Sequence, residues 1–249
     1  MSIEVNTYLP EGARMELTNA LLLYTAPSHQ MATIHKVYSP GEGAPVILPG
    51  ECLTREGIEE ILASLSKAPT KRHILPASVL CATPSLLCWW KPAKRLPIFF
   101  NTNEKKFNTE VSGKEVLHPP LVFLAKPGRL QILALTENER PTAETLLFRA
   151  PYYNLYGGSG YDEGAMCRGN VRLPEVVLPR DIPLWEKAFF ETNFTHSNFH
   201  GAKLTSHPGG HDGLWRVARE WGDEPFIEGC AHARYLIPLK LTLEEAVNK

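Results

Sequence analysis

Residues 121–135 read LVFLAKPGRLQILAL, two apolar runs on either side of Pro127 and Gly128. Proline presets the φ required at the first central position of a type II turn, and glycine accepts the positive φ of the second. Two apolar strands joined by so short a link form an antiparallel β-hairpin. A sheet in the middle of the chain is therefore fixed before any other element is considered.

The flanking segments extend this frame. Residues 2–38 hold the β-rich runs IEVNTYL, MELTNALLLYT and MATIHKVY, separated by PEGAR and APSHQ, and predict a three-stranded meander. The Pro/Gly-rich SPGEGAPVILPGE that follows is the best boundary, dividing an N-terminal β segment, 1–50, from a larger domain, 51–249. Beyond it, Ile58, Ile61, Leu62 and Leu65 recur at helical spacing behind Thr54 as N-cap. Residues 78–101 add apolar runs ending in CWWKPAKRLPIFF. Two closing helices are expected. DIPLWEKAFFETNF aligns Leu184, Trp185, Ala188 and Phe189, and Asp212 can cap GLWRVAREW, with Leu214, Val217, Ala218 and Trp221 aligned before Gly222. A helix, antiparallel strands, an irregular segment and closing helices make an α+β pattern.

With 249 residues, 43% of them hydrophobic, the chain can bury a sizeable core. Its 26 basic and 27 acidic side chains give no global electrostatic footprint for nucleic acid or an anionic membrane. The longest apolar runs fall short of the roughly 20 residues that span a bilayer, and the N-terminus lacks a signal pattern, so a cytoplasmic protein is expected.

The five cysteines are Cys52, Cys81, Cys88, Cys167 and Cys230, with no CxxC pair, which supports neither a disulfide framework nor a Cys-only zinc site. Cys81 and Cys88 sit in SVLCATPSLLCWW and read as small buried hydrophobes. Cys167 differs, because GYDEGAMCRGN surrounds it with the polar, turn-forming residues that give a thiol access. Asp162 and Glu163 would favour its neutral form and Arg168 the thiolate. His196 with His200, and His207 with His211, have i,i+4 spacing, which leaves metal ligation open beside ordinary loop or capping roles. His196 follows FFETNFT and is expected to play a structural part beside the cysteine. Trp89 and Trp90 read as core, with a partner-binding patch as the alternative. Arg140, Pro141, Thr142 and Thr145 read either as support for the loop leading to Asn154 or as a capped turn. No cofactor is assigned.

The order of a helix, a meander, an asparagine-bearing turn, a cysteine loop and helices resembles ubiquitin-conjugating (E2) enzymes. Asn154 in PYYNLY takes the place of their His-Pro-Asn asparagine, and Gly164, Met166 and Cys167 in GAMCRGN take the place of their cysteine motif. More closely, CWWKPAKRLPIFF, PPLVFLAKPGRLQILAL, ERPTAETLLFRAPYYN, GAMCRGNVRLP and LWEKAFFETNFTH look like the bacterial PRTRC system protein B group, in prokaryotic E2 family D. The resemblance implies an E2-like domain, with Cys167 as the catalytic thiol and Asn154 as an oxyanion donor. It also implies work beside a ubiquitin-like protein, an E1/ThiF-like activating enzyme and a JAB-type metalloprotease. Two departures stand out: Tyr152 and Tyr153 replace the His-Pro, and GGSGYDE lengthens the step from Asn154 to Cys167. An E2-derived scaffold that binds the same partners without catalysis is the alternative to a charged carrier.

Overall fold

The computed structural model describes residues 17–26, 29–40, 44–65, 74–158, 163–199, 203–221 and 231–249. The chain divides into two compact units, 1–73 and 74–249.

In the first unit, β1 (Asn19–Ala26), β2 (His29–Tyr38) and β3 (Val46–Cys52) form an antiparallel sheet in that order, followed by α1 (Arg55–Leu65). The second and third expected runs are β1 and β2, while IEVNTYL lies outside the described residues. The third strand comes instead from the Pro/Gly-rich stretch. An edge strand tolerates Pro49, whose missing N–H costs an edge little, and Gly50 gives His35 room: a Cβ there would meet the His35 ring at 2.4 Å. His35 Nδ1 in turn lies 2.7 Å from the carbonyl oxygen of Leu48. Because β3 pairs with β2, the break between units falls after α1, at 73/74, later than the Pro/Gly stretch. Thr54 caps α1, its hydroxyl accepting from Gly57 N–H at 3.2 Å. Ile58 and Leu62, on the expected apolar stripe, are exposed.

The second unit is built on a six-stranded antiparallel sheet. It contains β4 (Val79–Ala82), β5 (Leu87–Lys91), β6 (Lys94–Phe100), α2 (Lys105–Val111), β7 (Lys114–His118), β8 (Leu121–Lys126), β9 (Arg129–Ala134), β10 (Leu146–Arg149) and β11 (Tyr156–Gly157). Then come α3 (Ile182–Phe190), β12 (Asn193–Phe194), β13 (Asn198–Phe199), α4 (Gly210–Glu220), β14 (Pro238–Thr242) and α5 (Leu243–Val247). The large sheet runs β14-β10-β9-β8-β5-β4, and β12, β6 and β7 form a smaller one. The central hairpin is β8 and β9, with Lys126 opposite Arg129 and Gly128 at φ 63°.

The unbroken apolar runs have a packing cause. Along β5, β8 and β9, Trp89, Phe123 and Ile132 enter one cluster, whereas Cys88, Leu124 and Leu133 enter another. Both faces are covered, so neither needs polar residues. In the larger cluster Trp89 stacks on Phe123 at 5.0 Å, and Trp185, Phe189 and Trp215 are fully buried. Each such aromatic contributes roughly 1.5–3 kcal/mol by leaving water. Cys88 is buried, which pushes its thiol up to about 12, with neighbouring Cys81 adding to the effect. Trp90 is half-buried against the smaller cluster.

The closing helices differ from expectation in detail. In α3 the buried positions are Ile182, Trp185, Phe189 and Phe190, so the core-facing side keeps Trp185 and Phe189 of the expected stripe and leaves Leu184 exposed. In α4 the buried positions are His211, Leu214, Trp215 and Ala218. That helix begins at Gly210 behind Gly209, so Asp212 lies in the first turn and not at the cap. The chain then adds β14 and α5, an end absent from the two-helix expectation. Thr242 and Glu245 form a reciprocal capping box there.

Candidate active site

The turn carrying Asn154 is anchored by the two tyrosines before it. Tyr152 is fully buried, and its hydroxyl lies 2.8 Å from His118 Nδ1. Tyr153 stacks on His211 with ring centres 3.7 Å apart and donates to Asp212. Burial first, and Asp212 second, raise the Tyr153 hydroxyl to about 12. His211 is buried; burial holds its pKa down although Asp212 opposes it. Its Nε2 accepts from Trp215 Nε1–H at 3.1 Å, which leaves Nδ1–H for Asp212, at 2.9 Å. The tyrosines that replace His-Pro are thus rivets between the turn and the core.

Asn154 adopts φ 60°, a left-handed conformation that asparagine tolerates better than most residues. Its side chain ties down the segment after α3. Nδ2 donates to the Asn193 carbonyl at 2.8 Å, and Oδ1 accepts from the Thr195 N–H at 3.0 Å and the Thr195 hydroxyl at 2.9 Å. The backbone contributes a further bond, Asn154 N–H to the His196 carbonyl at 2.9 Å.

Cys167 is positioned by a strip laid along β9. Ile132 N–H donates to Gly164 O at 2.9 Å and Met166 N–H to Leu130 O at 2.8 Å, on backbone that β10 leaves uncovered, since β10 pairs only with Leu133 and Ala134. Gly164 sits at φ 79°, and a Cβ there would lie 2.2 Å from the Ile132 carbonyl oxygen. Leu155 bridges Met166, and Cys167 N–H donates to Asn154 O at 2.7 Å. The asparagine turn and the cysteine are therefore joined by backbone. They open together on a cavity of about 460 Å³, lined also by Arg168, Glu191, Thr192, Asn193, Thr195 and His196.

Cys167 is half-buried. Of the acids expected to act on it, Glu163 is paired with Arg149, whose guanidinium also stacks over Phe199 at 4.6 Å, so its charge is compensated locally. Asp162 lies outside the described residues, as do His200 and Cys230. His196 stands at the cavity, with Nδ1 2.8 Å from the Thr195 hydroxyl. His207 precedes α4, its Nδ1 accepting from Gly209 N–H at 3.0 Å, so it does not share a helical face with His211. Arg140 binds the carbonyls of Ala77 and Val79, and Thr142 and Thr145 bond to each other, which fastens the β9–β10 connection to β4 and leaves the Asn154 turn untouched. Thr195 and Asn193 were not singled out by the sequence, because small polar residues after a helix carry no periodic signal.

Residues 57–225 match the family model of prokaryotic E2 family D. The chain belongs to prokaryotic E2 family D. The match starts within α1 and takes in both Asn154 and Cys167, and an E2-like role comes with membership of prokaryotic E2 family D. No curated protein and no solved structure matches the chain significantly. Among the described residues no helix is long and apolar enough to cross a membrane, and no three metal-ligand side chains gather.

Proposed function

We propose that the chain is an E2-like carrier. Its Cys167 accepts a ubiquitin-like protein as a thioester from an E1/ThiF-like enzyme and passes it to an amine or thiol. The thiolate attacks the thioester held by the activating enzyme, that enzyme's thiolate leaves, and the acyl group rests on Cys167 until an acceptor displaces it. Asn154 Nδ2 carries two hydrogens, one given to Asn193; the other serves the oxyanion, a contribution of about 3 kcal/mol when well aimed. A setting beside PRTRC components, among them a JAB-type metalloprotease, belongs to the same reading.

The observation that carries it is the bond from Cys167 N–H to Asn154 O at 2.7 Å, which keeps thiol and asparagine together on one cavity. The experiment is a charging assay with the cognate activating enzyme, ATP and the ubiquitin-like protein on non-reducing gels. A thiol-sensitive adduct is expected for the native chain and for Cys88→Ala, and none for Cys167→Ala. Equal charging of Cys167→Ala would remove Cys167 as nucleophile. The second reading, a scaffold without catalysis, draws on the engagement of the Asn154 carboxamide with Asn193 and Thr195. It requires partner binding with no adduct at all.

A further inference from the structure

The hydrogen bonds around Thr195 fix where one proton sits. Asn154 Nδ2 faces the Asn193 carbonyl, which can only accept, and Asn154 Oδ1 faces the Thr195 N–H, which can only donate. The carboxamide therefore has one permitted orientation. Its Oδ1 also lies 2.9 Å from the Thr195 hydroxyl, and an amide oxygen can only accept, so the hydroxyl spends its single hydrogen there. What remains on that oxygen is lone pairs, and 2.8 Å away stands His196 Nδ1. Nδ1 must be the donor. In the neutral ring the proton is thus on Nδ1, and Nε2 keeps a basic lone pair. The ring is exposed and lines the cavity that holds Cys167.

On the carrier reading of Cys167, on which this rests, we propose that His196 is the general base for an amine acceptor, with Thr195 and Asn154 as the residues that position it. The acceptor arrives as an ammonium and gives a proton to His196 Nε2. The neutral amine attacks the thioester carbonyl, forming the C–N bond. The C–S bond then breaks with its electron pair on Cys167 Sγ, which takes the second amine proton to become a thiol, and the imidazolium releases its proton to solvent. Among the described residues, the remaining ionisable groups on the cavity are Cys167, Arg168 and Glu191. Glu191, exposed at the rim, is paired with Lys187 at 3.7 Å, and Arg168 on the wall carries the opposite charge. The acceptor class is a primary amine of lysine type, which arrives as an ammonium and must lose a proton before it can attack, a task for the Nε2 lone pair.

The test starts from protein already charged on Cys167, by the activating enzyme or by exchange with a short peptide alkylthioester, and follows discharge alone. His196→Gln should slow discharge to free lysine about 100-fold or more, the span that a positioned base supplies. Discharge to hydroxylamine, largely neutral at pH 7 and in no need of a base, should keep its rate. Added imidazole should restore part of the lysine rate to His196→Ala. Nitrogen-15 NMR of the uncharged native chain should show Nδ1–H at His196, lost in Thr195→Val. Equal lysine rates in native and His196→Gln protein, an equal slowing of both nucleophiles, or an Nε2–H ring would overturn the assignment and leave the carrier reading standing. Failure of Cys167 to charge by either route would remove the carrier reading and this inference with it.

Discussion

Around Cys88, order comes from apolar side chains on a strand paired along both edges and covered on both faces. Around Cys167, 79 positions further along the same unit, it comes from polar groups bonded to backbone and from a glycine that lets two segments touch. The first arrangement is redundant, because each contact is one of many and energy is spread through the cluster. The second is sparse: Asn154 makes three side-chain bonds to one short segment, and Gly164 alone admits the cysteine strip to β9. A redundant region makes stability, and a sparse one fixes the position of a single thiol.

The largest expected effect belongs to the redundant side. Trp89→Ala removes a fully buried ring stacked on Phe123 and should lower unfolding free energy by about 3–5 kcal/mol in urea titration. A cost below about 1 kcal/mol would mean that the sheet core is not what holds this unit.

Next comes pH. His118 and His232 are buried within this core, and burial lowers their pKa values to about 3 and about 4, with His232 adding to the effect on His118. Unfolded, each imidazole takes up a proton near pH 6.5. Between those values the unfolded chain binds more protons, so the stability is whole above pH 6.5 and is lost as pH falls toward 4. A drop of roughly 3 kcal/mol is expected from pH 6.5 to 5, where most carboxylates stay ionised. Stability that is flat across that window, measured by urea midpoints, would show these imidazoles to be hydrated or paired.

The smallest effect sharpens the sparse side. Asn154→Ala loses the bonds to Asn193 and Thr195 and also places a Cβ without polar compensation at φ 60°, whereas Asn154→Gly loses only the bonds. The glycine variant should be more stable than the alanine variant by about 1 kcal/mol. The reverse order in thermal melts would mean that the turn has a different conformation in solution.

The same contrast explains what the sequence disclosed. The Pro127-Gly128 hairpin, α1 behind Thr54 and the burial of Trp89 were legible because turn chemistry, capping and apolar runs are local signals. Cys167 and Asn154 stand out as candidates, the one for its polar neighbours and family-like motif and the other for its place before that motif, and the structure puts both on one cavity. The Pro/Gly stretch near residues 39–50 reads as a boundary because proline and glycine mark turns locally, yet an edge position and a histidine ring lying against glycine make 46–52 a strand. Leu184 was placed in the core because Leu184, Trp185, Ala188 and Phe189 fit helical spacing as well as Ile182, Trp185 and Phe189 do; only the neighbouring elements choose between them. Thr195 reaches the site through pairing across 41 positions of chain, which no window along the sequence contains, whereas His196 is expected beside the cysteine from FFETNFT and lines the cavity there.

Beside the cysteine strip, Gly164 N–H donates to Tyr156 O at 2.7 Å and Tyr156 N–H to Ala165 O at 2.8 Å, while Glu163 accepts from Gly158 N–H at 3.2 Å. These bonds close the stem of the excursion between Gly158 and Glu163. Lengthening the excursion costs only loop closure, about 0.6 kcal/mol for each doubling. The stem makes this a point at which a lineage, or an experimenter splicing in a fluorophore tag, can change the length of the chain while the thiol holds its position.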